Sequence, residues 1–138
     1  MRKITSHIVN GLNEALEIQV LDEPGPGGAC HQYFVQATGP IVIDPHMEEA
    51  ERDRVVSKLL SRLYIDFQNG PIAEVGVNGI SNEVLLAIVL DRLEGFQSGE
   101  YACAENQAAV EAVNDALLWL QKRTRERAAR GVEGTSQK

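Results

Sequence analysis

Two hydrophobic periodicities divide this chain, helical spacing from Ser81 onward and alternation ahead of it. From Val84 to Leu90 the apolar residues run without a polar break and resume at Leu93, which predicts a helix that is apolar nearly all round. One packing partner leaves much of that surface wet, so more than one neighbour is implied. A second helix is predicted from about Ala104 to Ala129, with Ala109, Val113, Ala116, Leu117 and Leu120 along one narrower stripe. The turn residues Gln97-Ser98-Gly99-Glu100 fold the two helices into a hairpin. Ser81 followed by Asn82-Glu83 marks where it starts.

Ahead of Ser81 the pattern is that of strands. Glu17 to Leu21 alternates as a half-buried strand, the cluster Asp22 to Gly28 stops it, and Tyr33 to Ala37 returns. Ile41-Val42-Ile43 reads as a short strand ended by Asp44-Pro45, and Glu48 to Leu60 has helical composition. Tyr64 to Gln68 alternates again, with Asn69-Gly70 as a turn and Ile72 to Val77 as the expected partner strand. Pro71 counts against a tight hairpin there, because proline has no N–H to give a ladder. The fold class expected is α+β, an N-terminal antiparallel sheet followed by a C-terminal antiparallel two-helix hairpin. The divisions expected are a β-rich subdomain over 1–80, the hairpin over 81–131 and a tail over 132–138, mobile unless a ligand or neighbouring chain holds it.

Composition narrows the class. The chain has 138 residues, 43% apolar and 24% charged, ordinary usage for one globular domain's worth of sequence. No apolar run approaches a membrane span, and Met1-Arg2-Lys3-Ile4-Thr5 lacks the apolar core of a secretory signal, so a cytoplasmic protein with no membrane contact is expected. Cys30 and Cys103 form no CxxC pair and read as two inert thiols. A net charge of −7 argues against a binder of long nucleic acid. Its distribution says more: residues 121–138 hold six basic side chains against Glu126 and Glu133, a local +4 that leaves −11 for the rest. An acidic body with one basic end suits a small anionic ligand held at one place.

Catalytic signatures are missing from the sequence. His7, His31 and His46 have no metal-ligand spacing, and His46 with Asp44 and Glu48 reads as solvated residues around a loop. There is no G-x-S-x-G elbow, and the glycines of 25–28 lead into a strand, whereas a phosphate loop needs a helix next. No metal or cofactor is expected. What remains is recognition chemistry. Arg123, Arg127 and Arg130 recur at i, i+4 and i+7 near the end of the second helix. They read either as a solvated helix end laced by Glu126 or as guanidiniums that grip phosphates with their fork geometry. Phe96 is either a core or turn-capping aromatic or a stacking platform contributing about 1 to 3 kcal/mol per base. Asn106 is either a surface or cap residue or an amide that reads an adenine edge.

Four separated strings decide between these alternatives by resemblance: Phe67 to Ile72 (FQNGPI), Gly76 to Gly79 (GVNG), Ile88 to Gln97 (IVLDRLEGFQ) and Arg123 to Gly134 (RTRERAARGVEG). Together they resemble the phage Thoeris anti-defence protein one family, sponges for a cyclic ADP-ribose isomer made by bacterial immune proteins. The hairpin is shared with an anti-CBASS sponge for cyclic oligonucleotides. The resemblance covers about the whole chain. It implies a non-catalytic binder acting in the bacterial host, with adenine on Phe96, Asn106 against the ligand, and Arg123 and Arg127 on its pyrophosphate. It also implies a further arginine from the sheet half, for which Arg52, Arg54 and Arg62 are the candidates, and binding of cyclic di- and trinucleotides, the latter on higher assembly.

Asn106 and Arg123 are 17 residues apart, about 25 Å along one straight helix at 1.5 Å per residue. One compact ligand cannot touch both in one chain. If all four groups serve one pocket, the turn end of one hairpin meets the open end of another in an antiparallel homodimer with two equivalent sites; the resemblance implies a trimer of dimers as the higher assembly. The competing classes are a protein- or RNA-interaction module that uses the basic helix end, and a hydrolase of the same nucleotides. Material released from heated protein separates sponge from hydrolase, and a titration with cyclic nucleotides separates sponge from interaction module.

Overall fold

The computed structural model describes residues 1–25, 28–38, 44–59 and 63–137, apart from the side chains of 58 and 59. The chain divides into two compact units, Met1–Asp66 and Phe67–Lys138, so residues 67–80 belong with the helices and not with the sheet. The class is α+β, as the alternation and the helical spacing predict.

The first unit is a four-stranded antiparallel sheet in the order β1 (Arg2–Ile4), β2 (Leu16–Val20), β3 (Gln32–Ala37), β4 (Leu63–Asp66). Its register places Ile4, Ile18, Val35 and Leu63 in one row across the strands and Arg2, Val20, Tyr33 and Ile65 in another on the same face. The row Lys3, Gln19, Phe34, Tyr64 therefore lies on the opposite face. That face is polar around one aromatic pair. Lys3 Nζ donates to Glu17 Oε2 at 2.6 Å, the side-chain amides of Gln19 and Gln36 also donate to Glu17, and the Phe34 and Tyr64 rings meet at 4.9 Å. Those bonds, Lys3's first and Gln19's next, hold the Glu17 carboxyl below the ordinary glutamate range. Val20, 2% exposed, is the most enclosed side chain described.

Asp22 ends β2 by accepting from the His31 and Gln32 amides, at 2.7 and 3.0 Å, so the β2–β3 loop closes on a side chain. Partial burial works to raise the Asp22 pKa, but these backbone donors outweigh it and hold it below the ordinary aspartate value. β1 and the single turn α1 (Gly11–Glu14) were not legible as periodicity, being three and four residues long. The helix expected over Glu48 to Leu60 is α2 (Glu49–Leu59). The strand expected at Ile41–Ile43 lies outside the described residues, as does Arg62.

In the second unit the strand expected over Ile72 to Val77 is instead a helical turn, α3 (Ile72–Val75). The reason is in the backbone. Pro71 stands before it at φ −68, while Gly70 at φ 89 and Gly76 at φ 72 take left-handed conformations that bend the chain at both ends. Two side-chain amides supply the bonds a ladder would have made. Gln68 Nε2 donates to the carbonyls of Gly70 and Gly76, Gln68 Oε1 accepts from the Asn78 amide, and Asn78 bonds both the N–H and the C=O of Asn69. β4 finds its partner in β3.

The hairpin comprises α4 (Asn82–Gln97) and α5 (Ala104–Ala129). Ser81 holds the N-cap backbone conformation of α4, though its side chain caps no amide. At α5 the cap is Cys103, whose Sγ accepts from the Asn106 amide at 3.4 Å. Gln97 ties the helices across the turn: its Oε1 accepts from the Cys103 amide at 3.0 Å and its Nε2 donates to Gln107 Oε1 at 3.3 Å. α4 buries none of its residues and α5 buries only Val110. The surplus apolar surface predicted for the first helix is therefore present, with Val84, Ile88 and Val89 exposed on α4 and Leu118 and Trp119 on α5.

Candidate functional site

The expected site residues fall into two clusters at opposite ends of α5. The first is at the turn. Phe96, half-buried, carries the Arg92 guanidinium 4.9 Å over its ring, and the Tyr101 ring stands at 86° to it with centroids 6.3 Å apart. Asn106, also half-buried, donates from Nδ2 to the Tyr101 carbonyl at 3.5 Å, which leaves its Oδ1 available as an acceptor. Tyr101 thus links Phe96, with Arg92 over its ring, to Asn106, an aromatic, amide and cation set suited to a purine.

The second cluster is at the open end of the hairpin, where the structure orders the tail. Arg127, with its side chain 15% exposed, donates from Nε to Glu133 Oε2 at 3.1 Å, from Nη1 to the Gln137 carbonyl at 2.8 Å, and from Nη2 to the Val132 and Thr135 carbonyls at 3.0 Å each. The Ala73 amide donates to the Gly134 carbonyl at 3.1 Å, so α3 holds the same tail from another side. A tail with two glycines and no core residue beyond Val132 takes four of its hydrogen bonds from one guanidinium and another from the Ala73 amide. Of the five N–H groups of Arg127, four bonds use all but one. Arg123, one turn earlier, is exposed and makes no bond or ion pair to any described residue. The lacing expected between Glu126 and Arg123 is absent; Glu126 pairs with Lys122 at 3.7 Å.

The two clusters are separated as the helical rise requires, with Asn106 and Arg123 about 25 Å apart along α5. Arg52 and Arg54 stand exposed on α2, where Arg52 Nη2 donates to the Met47 carbonyl at 3.3 Å. Among the described residues, two hollows are lined by side chains other than these. One of about 500 Å³ in the first unit is lined by Arg2, Asp22, Glu23, Cys30 and Tyr33 among others, a mixed set with no net call for an anion. The other, about 290 Å³, lies along α5 beside Leu118 and Trp119, where Lys122 Nζ is 5.1 Å over the indole. Among the described residues no group of three or more His, Cys, Asp or Glu is placed to hold a metal ion, and no helix is long and apolar enough to cross a membrane.

The family profile described as the Acb2/Tad1 hairpin domain matches residues 60–125, which takes in Phe96, Asn106 and Arg123 and ends before Arg127. Thoeris anti-defense 1 of Bacillus phage SBSphiJ7 is 51% identical over 115 residues, covering 80% of this chain and 81% of the relative. The chain belongs to the Acb2/Tad1 family. The resemblance carried by the four strings and the comparison with a relative agree, and the relative's match spans most of both chains. Sequence reasoning passed over Arg92, although its i, i+4 spacing to Phe96 was a usable signal. Tyr101 and Glu133 offered none, because a turn residue and a tail residue show no periodicity.

Proposed function

We propose that this chain is a phage anti-defence sponge: it binds a cyclic nucleotide immune signal in the cytoplasm of the bacterial host and holds it unchanged. The observation that carries this reading is the separation of a purine-suited cluster at Phe96 and Asn106 from an arginine pair at Arg123 and Arg127, on a hairpin whose first helix has no fully buried residue. Two such hairpins laid antiparallel put the aromatic and amide of one protomer beside the guanidiniums of the other and cover Val84, Ile88 and Val89. The ligand class is cyclic ADP-ribose isomers, with cyclic dinucleotides sharing the pocket chemistry and trinucleotides requiring a trimer of dimers. Stacking and charge hold a guest without turning it over, and the Glu133 carboxylate at the open end is paired with Arg127 and not with a nucleophile. For Arg127 to meet a phosphate, the Glu133 carboxylate, its one anionic partner, has to give way.

Mixed dimers test the shared pocket. A Phe96→Ala chain paired with an Arg123→Ala, Arg127→Ala chain keeps one intact site, so calorimetry with a cyclic ADP-ribose isomer should show half the wild-type stoichiometry. No binding by folded mixed dimers would refute it. Heating loaded protein and analysing the supernatant tests sequestration, intact nucleotide supporting a sponge and a cleaved product an enzyme.

A further inference from the structure

Arg92 is a cation that neither the expected site nor the fold accounts for. It lies four residues before Phe96 on α4, with its guanidinium carbon 4.9 Å from the ring centroid. It forms no hydrogen bond or ion pair with any described residue, in a chain of net charge −7 where Lys3, Lys122 and Arg127 each have a carboxylate partner. A guanidinium seated on an aromatic ring spends its flat side on the ring and keeps its N–H donors at its edges, free for an oxyanion. Arg92 lies ahead of the last turn of α4, so the free carbonyls of the helix end do not account for it. Asn106 Oδ1 is in the same cluster, so base-edge acceptor, stacking ring and phosphate donor stand together on one protomer.

We propose that Arg92 is a third ligand residue at the turn end, donating to a phosphate of the purine nucleotide whose base rests on Phe96. Each protomer then carries a complete purine-nucleotide half-site, while Arg123 and Arg127, about 25 Å away in the same chain, serve the remaining phosphate of the partner's ligand. This rests on the reading of Phe96 and Asn106 as base contacts. It adds that the base end does not borrow its positive charge from another copy.

The test is calorimetric titration with cyclic ADP-ribose isomers at low and high salt, on the wild type, Arg92→Met and Arg92→Lys. Arg92 is exposed, so both variants should fold, and a circular dichroism melt checks that. Arg92→Met should bind about 10-fold or more weakly at low salt, with a shallower salt dependence, since a charge-assisted bond to phosphate is lost. Arg92→Lys should recover the salt dependence but only part of the affinity, because an ammonium lacks the fork. Unchanged affinity in Arg92→Met, or a loss with unchanged salt dependence, overturns the proposal. The second outcome would make Arg92 a prop for the ring. A wild type that binds no isomer would sink the sponge reading as well, whereas a binding wild type with an indifferent Arg92→Met sinks only this inference.

Discussion

Replacing Arg127 with alanine should release the tail while leaving the helices intact. Four hydrogen bonds from the guanidinium end on residues 132–137. At about 1.5 to 3 kcal/mol for each bond to a charged group they total about 6 to 12 kcal/mol. Ordering those six residues costs about 1 to 2 kcal/mol each, a similar sum. The tail is therefore held at near balance, and removing all four bonds tips it to the detached state. Glu133 is 40% exposed, so solvent screening puts its bond at the weak end. The amides of Ala73 and Thr135, which donate to the Gly134 and Val132 carbonyls at 3.1 and 3.2 Å, report on the attachment. In Arg127→Ala their hydrogen exchange should approach the rate of an unprotected chain, with α5 amides before 120 unchanged. Arg127→Lys should fall between, since one ammonium cannot serve four acceptors. Protection of Ala73 and Thr135 retained in Arg127→Ala would refute the reasoning.

Three further outcomes follow from other contacts. Gly134→Ala should loosen the same tail more than Gly131→Ala: both glycines have positive φ, but only at 134 would a Cβ meet a neighbour, Ile72 Cγ1 at 2.9 Å. Comparing Ala73 amide protection in the two variants isolates the contact from the backbone strain. Because the Asp22 pKa is depressed in the folded chain, the stability it contributes is full above the ordinary aspartate value and is lost as pH falls through the lowered folded one. Exchange at the His31 and Gln32 amides should accelerate across that acid window in the wild type and show no such step in Asp22→Asn. Ile88→Glu, at a side chain 61% exposed in a single protomer, should weaken the proposed dimer by about 10-fold or more while leaving the hairpin folded, because a contact that buries such a side chain gains about 1.5 to 3 kcal/mol from it. Sedimentation velocity reads the change, and an unaltered dimer would place the contact elsewhere.

The amino-acid sequence by itself determined whatever depends on neighbours a few residues apart. α4 and α5 were legible nearly to the residue because i, i+3 and i, i+4 contacts set helical faces and the turn residues interrupt them. β2 and β3 were legible from alternation, and the basic end of α5 from a count of charges. The candidate residues Phe96, Asn106, Arg123 and Arg127 came from resemblance, since local chemistry left each with a bland alternative. Tertiary structure decided what depends on distant partners. It made 72–75 a helical turn, because Gly70 and Gly76 bend the backbone and Gln68 and Asn78 satisfy it from their side chains. It also paired β4 with β3 and folded the tail onto Arg127, since a strand's partner and a guanidinium's acceptors are chosen in space, where sequence separation leaves no periodic trace.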